Sequence, residues 1–201
     1  EIIFIARNEE KGNRLKQELQ NDSGREATMI IADLSSQAEV KKAANQFLAL
    51  NKPLDILLNN AGIMNVGLAQ GFTIAQLEKQ MDVNYIGVAR IFKEVIPHMK
   101  KNLGGLFITI SSIAGRIVFP FLSTYNPSKF AVQALAEIYR YELSPFKIDS
   151  VIVEPGPFPT ELIKNSPRPK DIECLEDYGE LLNATEKTMQ YFKEFMKDNP
   201  D

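Results

Sequence analysis

Five short, almost wholly apolar runs divide the chain: residues 2–6 (IIFIA), 28–32 (TMIIA), 54–58 (LDILL), 106–110 (LFITI) and 149–153 (DSVIV). Between them polar and apolar positions recur at a helical period, over residues 8–20, 37–50 and 73–99, and along a segment that ends near Pro145. Continuously apolar strands separated by amphipathic helices predict a parallel sheet covered on both faces. Right-handed crossovers then give a doubly wound, Rossmann-like α/β fold with its site at the C-terminal ends of the strands. The 73–99 segment carries Asn84 and Gly87, which predict a local irregularity. Residues 165–170 (NSPRPK) read as a loop, and residues 181–197 as an amphipathic helix.

The candidate chemistry follows the fourth run, which ends in Ser111 and Ser112. A loop holding Gly115 and Pro120 comes next, then a helical segment with Tyr125 and, four residues on, Lys129. Positions i and i+4 share a helical face, so the phenol and the ammonium can enter one cleft with the strand-end serine. A hydroxyl donor, an ionisable phenol and a cation that lowers the phenol's pKa suit proton transfer to a carbonyl or from an alcohol. Taken alone, each part has a plainer explanation. Tyr-x3-Lys is often a solvated helix face, and paired serines often serve a turn.

Composition narrows the partners. The 201 residues suit one domain, 1–160 as a core and 161–201 as a region over the substrate. A net charge of -3 with no basic run gives no reason to expect nucleic acid, and no apolar run is long enough to span a bilayer. The single cysteine, Cys174, forms no internal disulfide, which favours a reducing, cytoplasmic setting. No cluster has metal-ligand spacing, and the one histidine, His98, reads as structural.

Taken in order, Asp33-Leu34, Asn59-Asn60-Ala61-Gly62, Asn84, the Ser112/Tyr125/Lys129 set and Pro155-Gly156 with Thr160 resemble the classical short-chain dehydrogenase/reductase family. The resemblance covers nearly everything up to Thr160. It implies that Tyr125 is the general acid in reduction and the base in oxidation, assisted by Lys129, which also bonds the nicotinamide ribose. Ser112 would hold the substrate oxygen, and Asn84 a water linking Lys129 to solvent. Asn60, Ala61 and Gly62 would lie along the adenosine half of the cofactor, with Asp33 and Leu34 at the adenine; Asp33 reads equally well as a helix cap. Pro155-Gly156 would turn the chain under the nicotinamide, and Thr160 would bond its carboxamide. The loop Pro-Gly-Pro-Phe-Pro-Thr is stiffer than the family's, with Phe158 where a smaller residue is usual. The resemblance also implies a small-molecule carbonyl or alcohol substrate, and a homodimer or homotetramer formed through the Tyr125 helix.

Ala6-Arg7 at the end of the first run favours NADP(H) over NAD(H). An acidic residue there takes both ribose hydroxyls of NAD, whereas a guanidinium suits a 2′-phosphate. The family's Thr-Gly-x3-Gly-x-Gly turn is not found in this sequence. By resemblance it belongs to a strand ahead of residue 2, lying between the runs 2–6 and 54–58. A closing helix and edge strand are expected after residue 201. Without the central strand, unpaired backbone and an open core are expected.

The leading expectation is an oxidoreductase moving hydride between a nicotinamide and a carbonyl carbon. One rival is a catalytically silent nucleotide sensor or scaffold, against which the complete Asn/Ser/Tyr/Lys set argues. Another is a sugar-nucleotide epimerase or dehydratase, against which Asn-Asn-Ala-Gly argues. Phe158, Tyr178, Met189 and Phe192 are candidate walls of the substrate pocket.

Overall fold

The structure, a computed structural model, describes residues 1–158 and 160–198; the side chains of 164, 192, 193 and 195–198 are not described. All five predicted strands form: β1 (Ile2–Ala6), β2 (Ala27–Ile31), β3 (Ile56–Asn59), β4 (Gly105–Ile110) and β5 (Ile148–Val153). Every pairing is parallel, as the apolar runs imply. They make two sheets, β1-β2 and β3-β4-β5. β3 starts two residues later than its apolar run, after Leu54 and Asp55.

The helices are α1 (Glu9–Ser23), α2 (Gln37–Ala49), α3 (Ile74–Met81), α4 (Gly87–Lys101), α5 (Tyr125–Leu143), α6 (Glu161–Lys164) and α7 (Leu181–Asp198). Among the described residues, no helix is long and apolar enough to cross a membrane. Side chains set several of the starts. Asn8 accepts from Lys11 N at 2.8 Å ahead of α1, and Ser36 accepts from Glu39 N at 3.3 Å ahead of α2. Each satisfies an N–H that the helix leaves open. The irregularity expected near Asn84 is a π-helical turn, Asp82–Ile86, between α3 and α4. Such turns widen the helix and re-aim one side chain.

The main core joins α4 and α5 to one face of β3-β4-β5 through Val88, Phe92, Met99, Phe107, Val132, Leu143 and Ile148. Phe92 stacks on Phe107 at 4.4 Å between centroids and meets Tyr139 edge-on at 4.9 Å. Phe107 is 0 % exposed, so Phe107→Ala is expected to destabilise the fold by ~3–5 kcal/mol. Chemical denaturation with an unchanged slope checks this.

Contacts between α2 and α4 connect the two sheets. Beside them, Arg90 pairs with Asp82 at 2.8 Å and donates to Ser35 O at 3.2 Å. This guanidinium ties the π turn to the loop after β2. Gly87 lets that loop approach, because a Cβ there would meet both Asp82 O and Leu34 O at 3.3 Å. The C-terminal ends of β3, β4 and β5 thereby open beside the π turn and the start of α5.

Candidate active site

Ser112 leaves the end of β4 in extended backbone and caps a 3-10 turn, Ile113–Gly115, by accepting from Ala114 N at 3.2 Å. The loop beyond is pinned to α5 by Asn126, whose Nδ2 donates to Ala114 O at 2.7 Å and to Ile117 O at 2.8 Å. That anchor brings the Ser112 hydroxyl into hydrogen-bonding reach of Tyr125, the first residue of α5. Lys129 lies one turn further on, and its Nζ is 5.6 Å from the centre of the tyrosine ring. The ammonium donates to Ile110 O at 2.9 Å, at the end of β4. Ser111 turns to the other side and donates to Gln133 Oε1 at 3.3 Å. The structure thus brings the side chains of Ser112, Tyr125 and Lys129 into one place.

Their electrostatics differ from expectation in one respect. Tyr125 and Lys129 are each only 6 % exposed. Burial pushes the Tyr125 phenol above its ordinary value, and the Ser112 hydrogen bond works against that rise. Burial brings Lys129 down to about 8. The expected lowering by the Lys129 cation does not set the direction; loss of water does, opposed by the Ser112 hydrogen bond. Water is displaced by a cluster of Met64, Val66, Ala114, Tyr125 and Met189, with Leu162 and Ile163 of α6 packed on it.

Asn84, 2 % exposed, sits in the π turn with both amide hydrogens donated and its oxygen accepting one bond. Oδ1 accepts from Ile63 N at 2.9 Å, and Nδ2 donates to Ile63 O at 2.9 Å and Ser128 Oγ at 3.0 Å. Its side chain spans from the loop after β3 to the residue beside Lys129. Gly62 lies between, where an added Cβ would be 3.4 Å from Asn84 Oδ1 and 3.8 Å from Lys129 Nζ.

The remaining expected residues line the strand ends more openly. Asn60 and Ala61 are exposed after β3, whereas Asn59 is buried. The Asn59 amide and the Thr109 hydroxyl opposite it have no hydrogen-bond partner among the described residues. Pro155 O accepts from Ile113 N at 3.0 Å, which fixes the loop after β5. A Cβ on Gly156 would meet nothing within 4 Å. Thr160 is exposed ahead of α6, and its side chain makes no capping bond. Pro159 lies outside the described residues.

Asp33 does not cap α2, since Ser36 does. Its Oδ1 accepts from Ser35 N at 2.9 Å and Ser35 Oγ at 2.8 Å, closing the turn that carries Leu34. The Ser35 backbone and hydroxyl bonds hold the carboxyl below its usual range. Arg7 is exposed after β1 and, among the described residues, has no ion pair of its own.

Of the candidate walls, Met189 is buried against the Tyr125 cluster, while Phe158 is 50 % exposed. Tyr178 donates to Gln70 Oε1 at 2.8 Å and faces a cavity of about 630 Å³. Leu68, Val118, Phe119, Phe121, Phe130 and Leu181 also line that cavity. Phe119 and Phe121 belong to both the cavity and the Tyr125 cluster. The Phe192 side chain lies outside those described. Gln80 and Thr124, which sequence reading missed, flank the tyrosine through the bond Thr124 Oγ1 to Gln80 Oε1 at 3.3 Å.

Comparison with known proteins gives the same result. The chain is 39% identical over 170 residues to "Dehydrogenase/reductase SDR family member 7B" of Xenopus tropicalis, covering 82% of this chain and 55% of that protein. It is 35% identical over 137 residues to "3-ketodihydrosphingosine reductase" of Bacteroides thetaiotaomicron, covering 68% of this chain and 51% of that protein. The chain thus spans about half the length of these curated relatives. The crystal structure of a gluconate 5-dehydrogenase from Burkholderia cenocepacia, in complex with NADP and tartrate, superposes with a TM-score of 0.74 at 31% identity. That match covers 80% of this chain and 63% of the other. Residues 1–171 match the family model described as short chain dehydrogenase, a span holding the five described strands and Ser112, Tyr125 and Lys129, so the chain belongs to the short-chain dehydrogenase family.

Proposed function

We propose that the protein is an NADP(H)-dependent oxidoreductase that interconverts a carbonyl and a secondary alcohol, with Tyr125 as the general acid and base. The observation that carries this reading is the convergence of Ser112, Tyr125 and Lys129 in one dry cleft. The nicotinamide, when bound, supplies or takes the hydride.

The chain's own residues do the rest. The Ser112 hydroxyl donates to the substrate oxygen and places it beside the Tyr125 phenol. Tyr125 gives that oxygen its proton in reduction and takes it back in oxidation. Its raised pKa keeps it protonated through the neutral range, ready as an acid. The Lys129 ammonium lies beside the tyrosinate that proton transfer leaves, and opposes its charge.

The site suits a nicotinamide riboside on several counts. One Lys129 N–H is used by Ile110 O, leaving two for ribose hydroxyls. Gly62 keeps the cleft floor low, and Gly156 leaves the far side open. Asn60, Ala61, Pro155 and Thr160 then border the cofactor, with Asp33 and Leu34 at its adenine end.

Arg7, exposed after β1, would bind the 2′-phosphate. Arg7→Ala is therefore expected to raise KM for NADPH by about 10–100-fold, the loss of one charge-assisted contact, and to leave KM for NADH nearly unchanged. Initial rates with each cofactor check this, and equal effects on both would count against Arg7 as the selector.

The walls of the site favour a carbonyl carried on an apolar skeleton. Met64, Val66, Ala114 and Met189 pack about Tyr125, and Phe119 and Phe121 beside them also line the 630 Å³ cavity. A relative named as a 3-ketodihydrosphingosine reductase accords with such a substrate. Turnover of long-chain or polycyclic ketones with NADPH, set against short polar ketones, tests this preference. Exposed Phe130, Ile138 and Tyr141 lie along α5 and favour a homodimer or homotetramer through that helix. The single free cysteine suits a cytoplasmic setting.

A further inference from the structure

Three amide side chains at four-residue spacing, Gln76, Gln80 and Asn84, line one face of α3 and the π turn, exposed by 8 %, 0 % and 2 %. Each joins separate parts of the chain. Gln76 donates to Arg168 O at 2.9 Å and accepts from Lys170 N at 3.2 Å. This fixes the segment that leads from α6 towards α7. Gln80 donates to Ile63 O at 2.6 Å and accepts from Asn65 N at 3.0 Å and Thr124 Oγ1 at 3.3 Å. Asn84 joins Ile63 to Ser128, whose hydroxyl donates to Tyr125 O at 2.7 Å. Two amides one helical turn apart therefore hold both ends of the Tyr125–Lys129 turn against the same residue, Ile63.

We propose that Gln80 is a positioning residue for Tyr125, fixing the phenol against the loop after β3 through Thr124 and Ile63. The Gln80 amide bonds to Ile63, Asn65 and Thr124, so it acts on the tyrosine through these neighbours. Thr124 is the residue before Tyr125, and Met64, next to Ile63, packs in the tyrosine's cluster. The amide suits the task because it both donates and accepts. A hydrocarbon at this position would leave the Asn65 N–H and the Thr124 hydroxyl without this acceptor in a dry site, and Ile63 O with Asn84 as its one remaining side-chain donor. The loop and the start of α5 would then shift to find others. Displacements of about 1 Å at a reacting group cost up to about 10²-fold in rate.

The inference rests on the reductase reading, and the test separates the two. With the full protein, kcat and KM for NADPH and for a ketone substrate are measured for wild type, Gln80→Leu and Gln80→Glu between about pH 8 and about pH 5.5, the range in which a buried carboxyl with a raised pKa titrates. Gln80→Leu is expected to lower kcat by about 10–100-fold, with KM for NADPH unchanged. A carboxylate at position 80 can accept but not donate, whereas its protonated form restores both bonds. The kcat of Gln80→Glu relative to wild type therefore rises as pH falls, while that of Gln80→Leu stays level. Tyr125 and Lys129 on α5, Lys79 and Asp82 beside Gln80, and Arg168 and Lys170 on the adjoining loop are common to all three proteins, and Gln80→Leu, which adds no charge, reports their own pH dependence. Should Gln80→Leu fail to fold, the Gln80→Glu ratio decides alone. An unchanged kcat in Gln80→Leu, or a flat Gln80→Glu ratio, overturns the positioning role. Equal losses in kcat and in NADPH affinity also overturn it, since they mark a merely structural residue. A wild type without turnover refutes the reductase reading itself and this proposal with it.

Discussion

Tyr125→Phe is expected to lower kcat/KM for carbonyl reduction by about 10²–10⁴-fold, the range that general acid catalysis contributes. The substitution removes one oxygen and little volume, so the cluster of Met64, Val66, Ala114 and Met189 around the ring should persist. NADPH affinity, measured by fluorescence titration, is expected to stay the same, because the ring contributes no charge to the cofactor. Ser112 still holds the substrate oxygen in this variant, which is why a small residual rate is expected. If kcat/KM instead falls together with thermal stability, the phenol serves packing and proton transfer lies elsewhere.

Lys129→Met carries the second large effect, and it comes with a pH signature. Burial brings the ammonium down to about 8, so it is mainly charged below that pH and mainly neutral above it. The Tyr125 phenol, pushed upward, keeps its proton across the same range. Reduction by the wild type is therefore expected to be level below about pH 8 and to decline above it, as the charge that opposes the tyrosinate is lost. Lys129→Met retains most of the buried stem. It is expected to lower kcat by about 10²–10³-fold, the scale of removing one electrostatic contact from a transition state. The decline near pH 8 should disappear with it. A profile with the same limb in the variant would assign that limb to another group.

The parts of the molecule legible in its sequence are those set by local rules. Short apolar runs set between amphipathic helices read as parallel strands, so the runs holding Phe4, Phe107 and Val151 were legible. The spacing from Ser112 to Tyr125 to Lys129 is set by a strand end, a short loop and one helical turn, and it survived intact into the cleft. The π turn at Asn84 was foreshadowed by an asparagine and a glycine inside an otherwise good helix.

Interactions between distant residues were not legible. Tyr125 is dry in part because Met189 packs against it, and no pattern around residue 125 encodes that. A glutamine at position 80 reads as an ordinary polar helix residue until Ile63 and Thr124 are seen to meet it. The Asp33 carboxyl fell to Ser35 while Ser36 took the cap, a choice among three oxygen-bearing side chains within four residues that propensity cannot rank.

The most direct test of the central claim follows deuterium from NADPH carrying deuterium at both nicotinamide C4 positions into product, using the purified protein and an apolar ketone. Mass spectrometry of the alcohol is predicted to place the deuterium on the carbinol carbon in the wild type, at a rate that collapses in Tyr125→Phe. Alcohol formed without deuterium at that carbon, or no alcohol from any ketone while NADPH binds tightly, would contradict hydride transfer at the Ser112, Tyr125 and Lys129 site.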